Sequence, residues 1–143
     1  MPTTVEIRTL SDSSLAVGSS GPRTITIDRA KEAGGQGLGF NGGELLLLAI
    51  GGCYSNDIYR EAALRKIEVH SVQVRVTAEW GGSPIRAQDL SFTATVEANA
   101  TEQEILDLIR HTDQVAEIPN SLRLGTEVKL AEVKAIPRMA ESA

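Results

Sequence analysis

The stretch Gly43-Glu44-Leu45-Leu46-Leu47-Leu48-Ala49-Ile50-Gly51-Gly52-Cys53, continued by Tyr54-Ser55-Asn56-Asp57, decides how the chain is read. Asn41 stands where a helix N-cap belongs and Glu44 follows three residues on, a loose capping-box pattern. The spacing predicts a helix from Glu44 to about Lys66, the strongest in the chain. Its first half is apolar all round, the mark of a helix covered on every side, and its second half is amphipathic. Glycines inside a helix cost about 1 kcal/mol each relative to alanine. Gly51 and Gly52 therefore point to the close approach of another backbone.

Cys53 is the only cysteine. An intrachain disulfide is excluded, and with just His70 and His111 as histidines no obvious zinc set exists. At about 100° per residue, Cys53 shares its helix face with Ile50, Asn56, Asp57 and Arg60. Arg60 would favour a thiolate and Asp57 would oppose it, so these charges leave the acidity of the thiol open. Two readings stand side by side. One is a small, inert thiol in helix packing. The other is a reactive thiol whose activating cation comes from elsewhere in the fold or from a partner chain. Glu44 lies nine residues earlier, about 180° round the helix, where a capping role outweighs a catalytic one.

Outward from this helix, the pattern predicts one α+β domain over residues 1–143, with helices on one side of antiparallel sheet. Val5, Ile7 and Leu10 suggest a first strand, Leu15 to Gly18 a second, and Thr24 to Ile27 a third. Arg29 to Gly42 holds five glycines and reads as a flexible surface loop. Beyond the helix, Val72 to Trp80 and Leu90 to Ala98 alternate with period two and read as a long hairpin. Thr101 and Glu104 form a T-x-x-E box opening a second helix to about Ala116, with Ile105, Leu108, Ile109 and Val115 as its stripe. Ile118-Pro119-Asn120 interrupts the pattern, Ser121 to Leu124 suggests a short helical turn, and Val128, Leu130 and Val133 suggest a last strand. The tail from Pro137 reads as frayed. His70 keeps register with Val72 and Val74 and reads as half-buried; His111 reads as solvated.

The 143 residues carry 14 Lys and Arg against 19 Asp and Glu, a net charge of −5. That balance, with only five aromatic residues, argues against a nucleic-acid or anionic-membrane partner. The longest strongly apolar run, Leu45 to Ile50, is far short of a bilayer span. The N-terminus lacks the layout of a signal peptide. A reducing, cytoplasmic setting fits a free thiol.

The Gly43 to Cys53 stretch, followed by Asp57, resembles the helix signature of the OsmC/Ohr family, the osmotically inducible and organic hydroperoxide resistance proteins. The order of elements is similar over roughly residues 5 to 136. The resemblance implies an OsmC-like fold: antiparallel sheets wrapped around two central helices in an intertwined homodimer, with sites at the dimer interface. It also implies a thiol peroxidase in which Cys53 attacks a hydroperoxide, an arginine and a glutamate hold the thiol, and no cofactor is needed. Arg23 is the candidate arginine and Glu44 the candidate carboxylate, although Arg23 is read equally as a solvated strand-end charge. The chain departs from the family in two places. Ile118 stands at the position of the second, resolving cysteine. Gly43 stands where the hydroperoxide-resistance branch carries its glutamate, so that Glu44 matches the divergent branch. Two functions follow as expectations. One is a one-cysteine peroxidase acting on organic hydroperoxides or hydrogen peroxide with an external thiol reductant. The other is a non-peroxidatic protein that binds a small apolar or thiol-reactive ligand around a largely structural cysteine.

Overall fold

The structure of the protein, a computed structural model, describes residues 2–138. Three short strands, β1 (Glu6–Thr9), β2 (Ala16–Ser20) and β3 (Arg23–Ile27), form one antiparallel sheet in the order β1-β2-β3. Helix α1 (Gly42–Leu64) follows, then the hairpin of β4 (Glu68–Gly81) and β5 (Arg86–Asn99), and finally α2 (Glu102–Val115) and α3 (Glu117–Arg123). The architecture is the mixed α+β arrangement that the sequence predicts.

The hairpin confirms the period-two reading. Val72 pairs with Val96, Val74 with Ala94 and Val76 with Phe92, so one apolar face is continuous across both strands. Against that face lies the core: Tyr54, Ile58 and Ala62 of α1, Leu108 of α2, and Ala116. Tyr54 and Phe92 meet with ring centroids 4.8 Å apart. The Tyr54 hydroxyl donates to the Ile109 carbonyl at 2.8 Å, which satisfies the one polar atom such a ring brings into a core. Burial pushes its phenol up to about 12.

Both capping boxes form as read. Asn41 and Glu44 exchange bonds of 2.9 and 2.8 Å, and Thr101 and Glu104 exchange bonds of 3.0 and 3.2 Å. The two together fix where α1 and α2 begin.

Several expectations are corrected. The glycine-rich loop is organised rather than loose. Asp28 is buried, and its carboxylate accepts from the backbone N–H groups of Arg29, Gln36 and Leu38 at 2.8–3.1 Å. A Cβ at Gly35 would overlap the Arg29 carbonyl and one at Gly39 the Thr26 carbonyl, so these two glycines let the loop close on itself.

The chain break expected at Ile118-Pro119-Asn120 falls two residues earlier, at the extended Ala116 (φ −68°, ψ 120°). Pro119 sits in the first turn of α3, where its missing N–H costs nothing. His70 is exposed, because the register slips between Val69 and Ser71 and takes it out of alternation. Its ring lies 2.8 Å from Asn99 Oδ1.

The last strand does not form. Residues 126–138 carry no strand, and Val128 and Leu130 are 95% and 85% exposed. Alternation alone makes no strand; its backbone groups need a neighbouring edge. Of the tail from Pro137, residues 139–143 lie outside the described residues.

The first half of α1 is also not covered on every side within one chain. The buried residues of α1 as a whole are Ile50, Tyr54, Asp57, Ile58, Glu61 and Ala62, a single stripe on a helix that packs on β4, α2 and α3, and Ile50 alone of them precedes Cys53. Leu48 is 51% exposed.

A candidate thiol site between three helices

Cys53 sits midway along α1, half-buried, where the start of α3 crosses it. Gly51, on the side towards the hairpin, is tightly packed: a Cβ there would lie 3.1 Å from the Val76 side chain, which would have to give by a few tenths of an ångström. Its neighbour Gly52 faces open space. The approach of another backbone expected for the pair is not found within this chain: Gly51 is crowded by the side chains of Val74 and Val76 of β4, and Gly52 meets nothing.

The sulfur has three polar neighbours. The single S–H has two carboxylate acceptors within reach, Asp57 Oδ2 at 3.5 Å and Glu117 Oε2 at 3.6 Å, and Sγ accepts from the Ile118 N–H at 3.5 Å. The Ile118 amide is free for this because the first N–H groups of a helix have no partner inside it. Arg60 closes the arrangement. Its Nη1 donates to Glu117 Oε1 at 2.5 Å and lies 3.3 Å from Asp57 Oδ1, while its Nε donates to Glu61 Oε2 at 2.9 Å. The other oxygen of Glu61 lies 2.8 Å from His111 Nε2. The expectation of a solvated His111 is corrected accordingly: α2 packs its ring against the buried Glu61 of α1.

The electrostatics follow from this geometry. Burial pushes the Cys53 thiol up, the Ile118 N–H pulls it down, and Asp57, by its charge and its hydrogen bond, and Glu117, by its hydrogen bond, push it up again. Burial likewise raises the Asp57 carboxyl, with Glu117 adding to it and Arg60 opposing. Arg60 holds Glu117 down, at about 2, and lowers Glu61 together with His111. At rest the sulfur is thus a neutral thiol that donates to carboxylates, with a guanidinium one bond further away. The ligand-type atoms of Cys53, Asp57 and Glu117 lie within 4.8 Å of one another, and the Arg60 guanidinium is the cation set against both carboxylates.

The structure brings Cys53 together with Asp57 and Arg60, as their helical spacing predicts. Glu44 and Arg23 lie elsewhere. Glu44 is tied into the N-terminal cap of α1 and borders an apolar concavity of about 500 Å³ with Phe40, Leu47, Leu48, Gly52 and Ser55. Arg23 opens β3 beside Val5, Ile7 and Ile25. Among the described residues neither makes a hydrogen bond or ion pair with the Cys53 group. At Gly43 a Cβ would stand 2.8 Å from the Trp80 ring, so this position is fitted to a passing indole rather than to a side chain of its own.

Sequence reasoning missed Glu117, Glu61 and His111. Glu117 is 64 residues from Cys53. Its one visible signal is adjacency to Ile118, the position matched to the family's second cysteine, and that position indeed lies against Sγ. A second concavity, of about 670 Å³, opens between α1, β5 and α3, lined by Leu46, Ile50, Leu90, Phe92, Pro119 and Leu122. Cys53 is not among its lining residues, but Ile50 lies one turn before the cysteine and Pro119 follows Ile118.

The fold and the half-buried thiol on a central helix define an OsmC-type α+β protein. Residues 34–131 match the family model described as OsmC-like protein, and the chain belongs to that family.

Among solved structures, the OsmC-like protein of Mycoplasma pneumoniae is similar with 19% identity and a TM-score of 0.74, over 86% of this chain and 88% of that one. An organic hydroperoxide resistance protein OsmC from Legionella pneumophila is similar with 17% identity and a TM-score of 0.60, over 86% and 90%. The organic hydroperoxide resistance protein OhrB of Bacillus subtilis is similar with 16% identity and a TM-score of 0.60, over 86% and 91%. These likenesses carry the fold. No curated protein matches in sequence. Among the described residues no helix is long and apolar enough to cross a membrane.

Proposed function

We propose that the protein is a one-cysteine thiol peroxidase that reduces organic hydroperoxides, with Cys53 as nucleophile. The observation that carries this reading is the single hydrogen-bonded group in which both carboxylates beside the sulfur are also paired with Arg60. The family resemblance calls for an arginine and a glutamate at the thiol, and Arg60 with Asp57 and Glu117 supports that reading here in place of Arg23 and Glu44. Similarity to proteins described as organic hydroperoxide resistance proteins adds support.

In this mechanism the thiol proton passes to Asp57 as sulfur attacks the distal peroxide oxygen. The O–O bond breaks, a sulfenic acid forms on Cys53, and the departing alkoxide takes the proton and leaves as an alcohol. Arg60 faces the charge that develops on the leaving oxygen. With Ile118 at the resolving position, two external thiols return the sulfenic acid to the thiol, releasing their disulfide and water. The apolar concavity between α1, β5 and α3 suits the carbon end of an organic hydroperoxide.

The protein works as a homodimer. The uncovered apolar residues of α1 and of 128–136 support this, because one chain leaves them facing water. A cytoplasmic, thiol-rich compartment suits the external reductant.

A second reading is favoured by the resting electrostatics: two carboxylates and burial keep Cys53 protonated, which fits a ligand-binding protein with a largely structural cysteine. Rapid mixing of the reduced protein with cumene hydroperoxide separates the two. The peroxidase reading requires loss of one thiol per chain, far faster than for free cysteine. A thiol that survives supports the binding reading instead.

A further inference from the structure

We propose that His111 is a positioning residue for Cys53, acting through Glu61 and Arg60. This rests on Cys53 being the reactive group of the site, and it concerns how the surrounding fold governs that group.

The side chains form one connected line across three helices. His111 of α2 lies 2.8 Å from Glu61 Oε1, and Glu61 Oε2 accepts from Arg60 Nε at 2.9 Å. Arg60 Nη1 reaches Glu117 of α3 at 2.5 Å and Asp57 at 3.3 Å. The remaining oxygens of those two carboxylates both lie within reach of the one Cys53 S–H. Peroxide chemistry uses the Cys53 end of the line and leaves Glu61 and His111 without a task. Yet Glu61 is a buried carboxylate, a costly group to maintain unless it is paired on both sides.

The physical consequence comes from competition. One guanidinium serves Glu61 through Nε, and Asp57 and Glu117 through Nη1. A protonated His111 neutralises Glu61 and leaves more of the Arg60 charge directed at Asp57, Glu117 and the sulfur. A neutral His111 leaves Glu61 to draw on Arg60. Protonation at His111 therefore favours the thiolate of Cys53. The charged and titratable groups facing this line are Cys53, Asp57, Arg60 and Glu61 of α1, His111 of α2 and Glu117 of α3. Among the described residues β4 and β5, packed beneath α1, contribute no hydrogen bond or ion pair to it.

The test is the rate of iodoacetamide alkylation of the full reduced chain from pH 5 to 9, followed by mass spectrometry. In the native protein the logarithm of the rate should climb with a flatter segment over the interval in which His111 gives up its proton. The offset across that segment should be about twofold or more. His111→Gln should climb with one slope throughout. Glu61→Gln should also lose the flat segment and react at least about threefold faster at pH 7, because Arg60 is released from one carboxylate.

A native profile with a single slope overturns the proposal whatever the variants do. So does superposition of the His111→Gln and native profiles, or slower reaction of Glu61→Gln. Peroxide turnover does not enter this readout. A chain inert to cumene hydroperoxide but with the flattened profile refutes the peroxidase and keeps the role of His111; turnover with a single slope does the reverse.

Discussion

Replacing Glu117 by glutamine tests the electrostatic account of Cys53 most directly. The change keeps the shape of the side chain and removes one negative charge 3.6 Å from the sulfur. Under full solvent screening a unit charge at that distance is worth about 1.2 kcal/mol, just under one pH unit in a neighbouring thiol. Cys53 is half-buried, so this is the lower bound. The same substitution frees Arg60 Nη1 to turn towards Asp57 and the sulfur, which acts in the same direction.

The expected result is a lower thiol pKa and at least about a sevenfold larger thiolate fraction at neutral pH. Alkylation rate against pH measures it. Loss of stability should stay within about 1 kcal/mol, because Arg60 and Glu117 are 44% and 58% exposed in their side chains. An unchanged or raised thiol pKa would refute the claim that the carboxylates suppress ionisation. It would leave desolvation as the whole cause.

Ile118→Cys should install a resolving thiol. The Ile118 N–H is 3.5 Å from Sγ, so one equivalent of peroxide should produce an intrachain disulfide, seen as a loss of about two mass units and no free thiol; a persistent sulfenic acid would show that α3 cannot bring the two sulfurs together. Tyr54→Phe removes the bond to the Ile109 carbonyl and should cost about 1 kcal/mol in denaturant unfolding, more if that carbonyl stays dry. Acid should destabilise the fold. Asp28, Glu61 and Glu117 are all held below their ordinary values, so their contribution is complete above about pH 4.5 and drains away as pH falls towards 2. The raised Asp57 works the other way and offsets part of it. A midpoint in urea that is the same at pH 3 and pH 7 would contradict these pairings.

Much of the scaffold was legible because it rests on local periodicity. The two capping boxes, the period-two hairpin and the helical stripe of α2 are all written within a few residues of each other, and each forms as read. Errors gathered where a segment's state depends on a distant partner. Val128, Leu130 and Val133 alternate like a strand, but a strand exists only where its backbone groups pair with a neighbour, and among the described residues this segment pairs with none. The glycines between Arg29 and Gly42 look like flexibility in sequence. Folded, they are the clearance that lets three N–H groups converge on Asp28.

For the site, spacing along the chain was enough to define one thiol, its helix and the company of Asp57 and Arg60, because residues three, four and seven apart on a helix share a face whatever the rest of the chain does. The tertiary structure alone decided the balance of charge around that thiol. The crossing of α3 over α1 brings Glu117 and the Ile118 amide onto the sulfur, and the packing of α2 sets His111 on Glu61. Electrostatic interaction depends on distance through space, and no spacing along the chain encodes an approach across 64 residues.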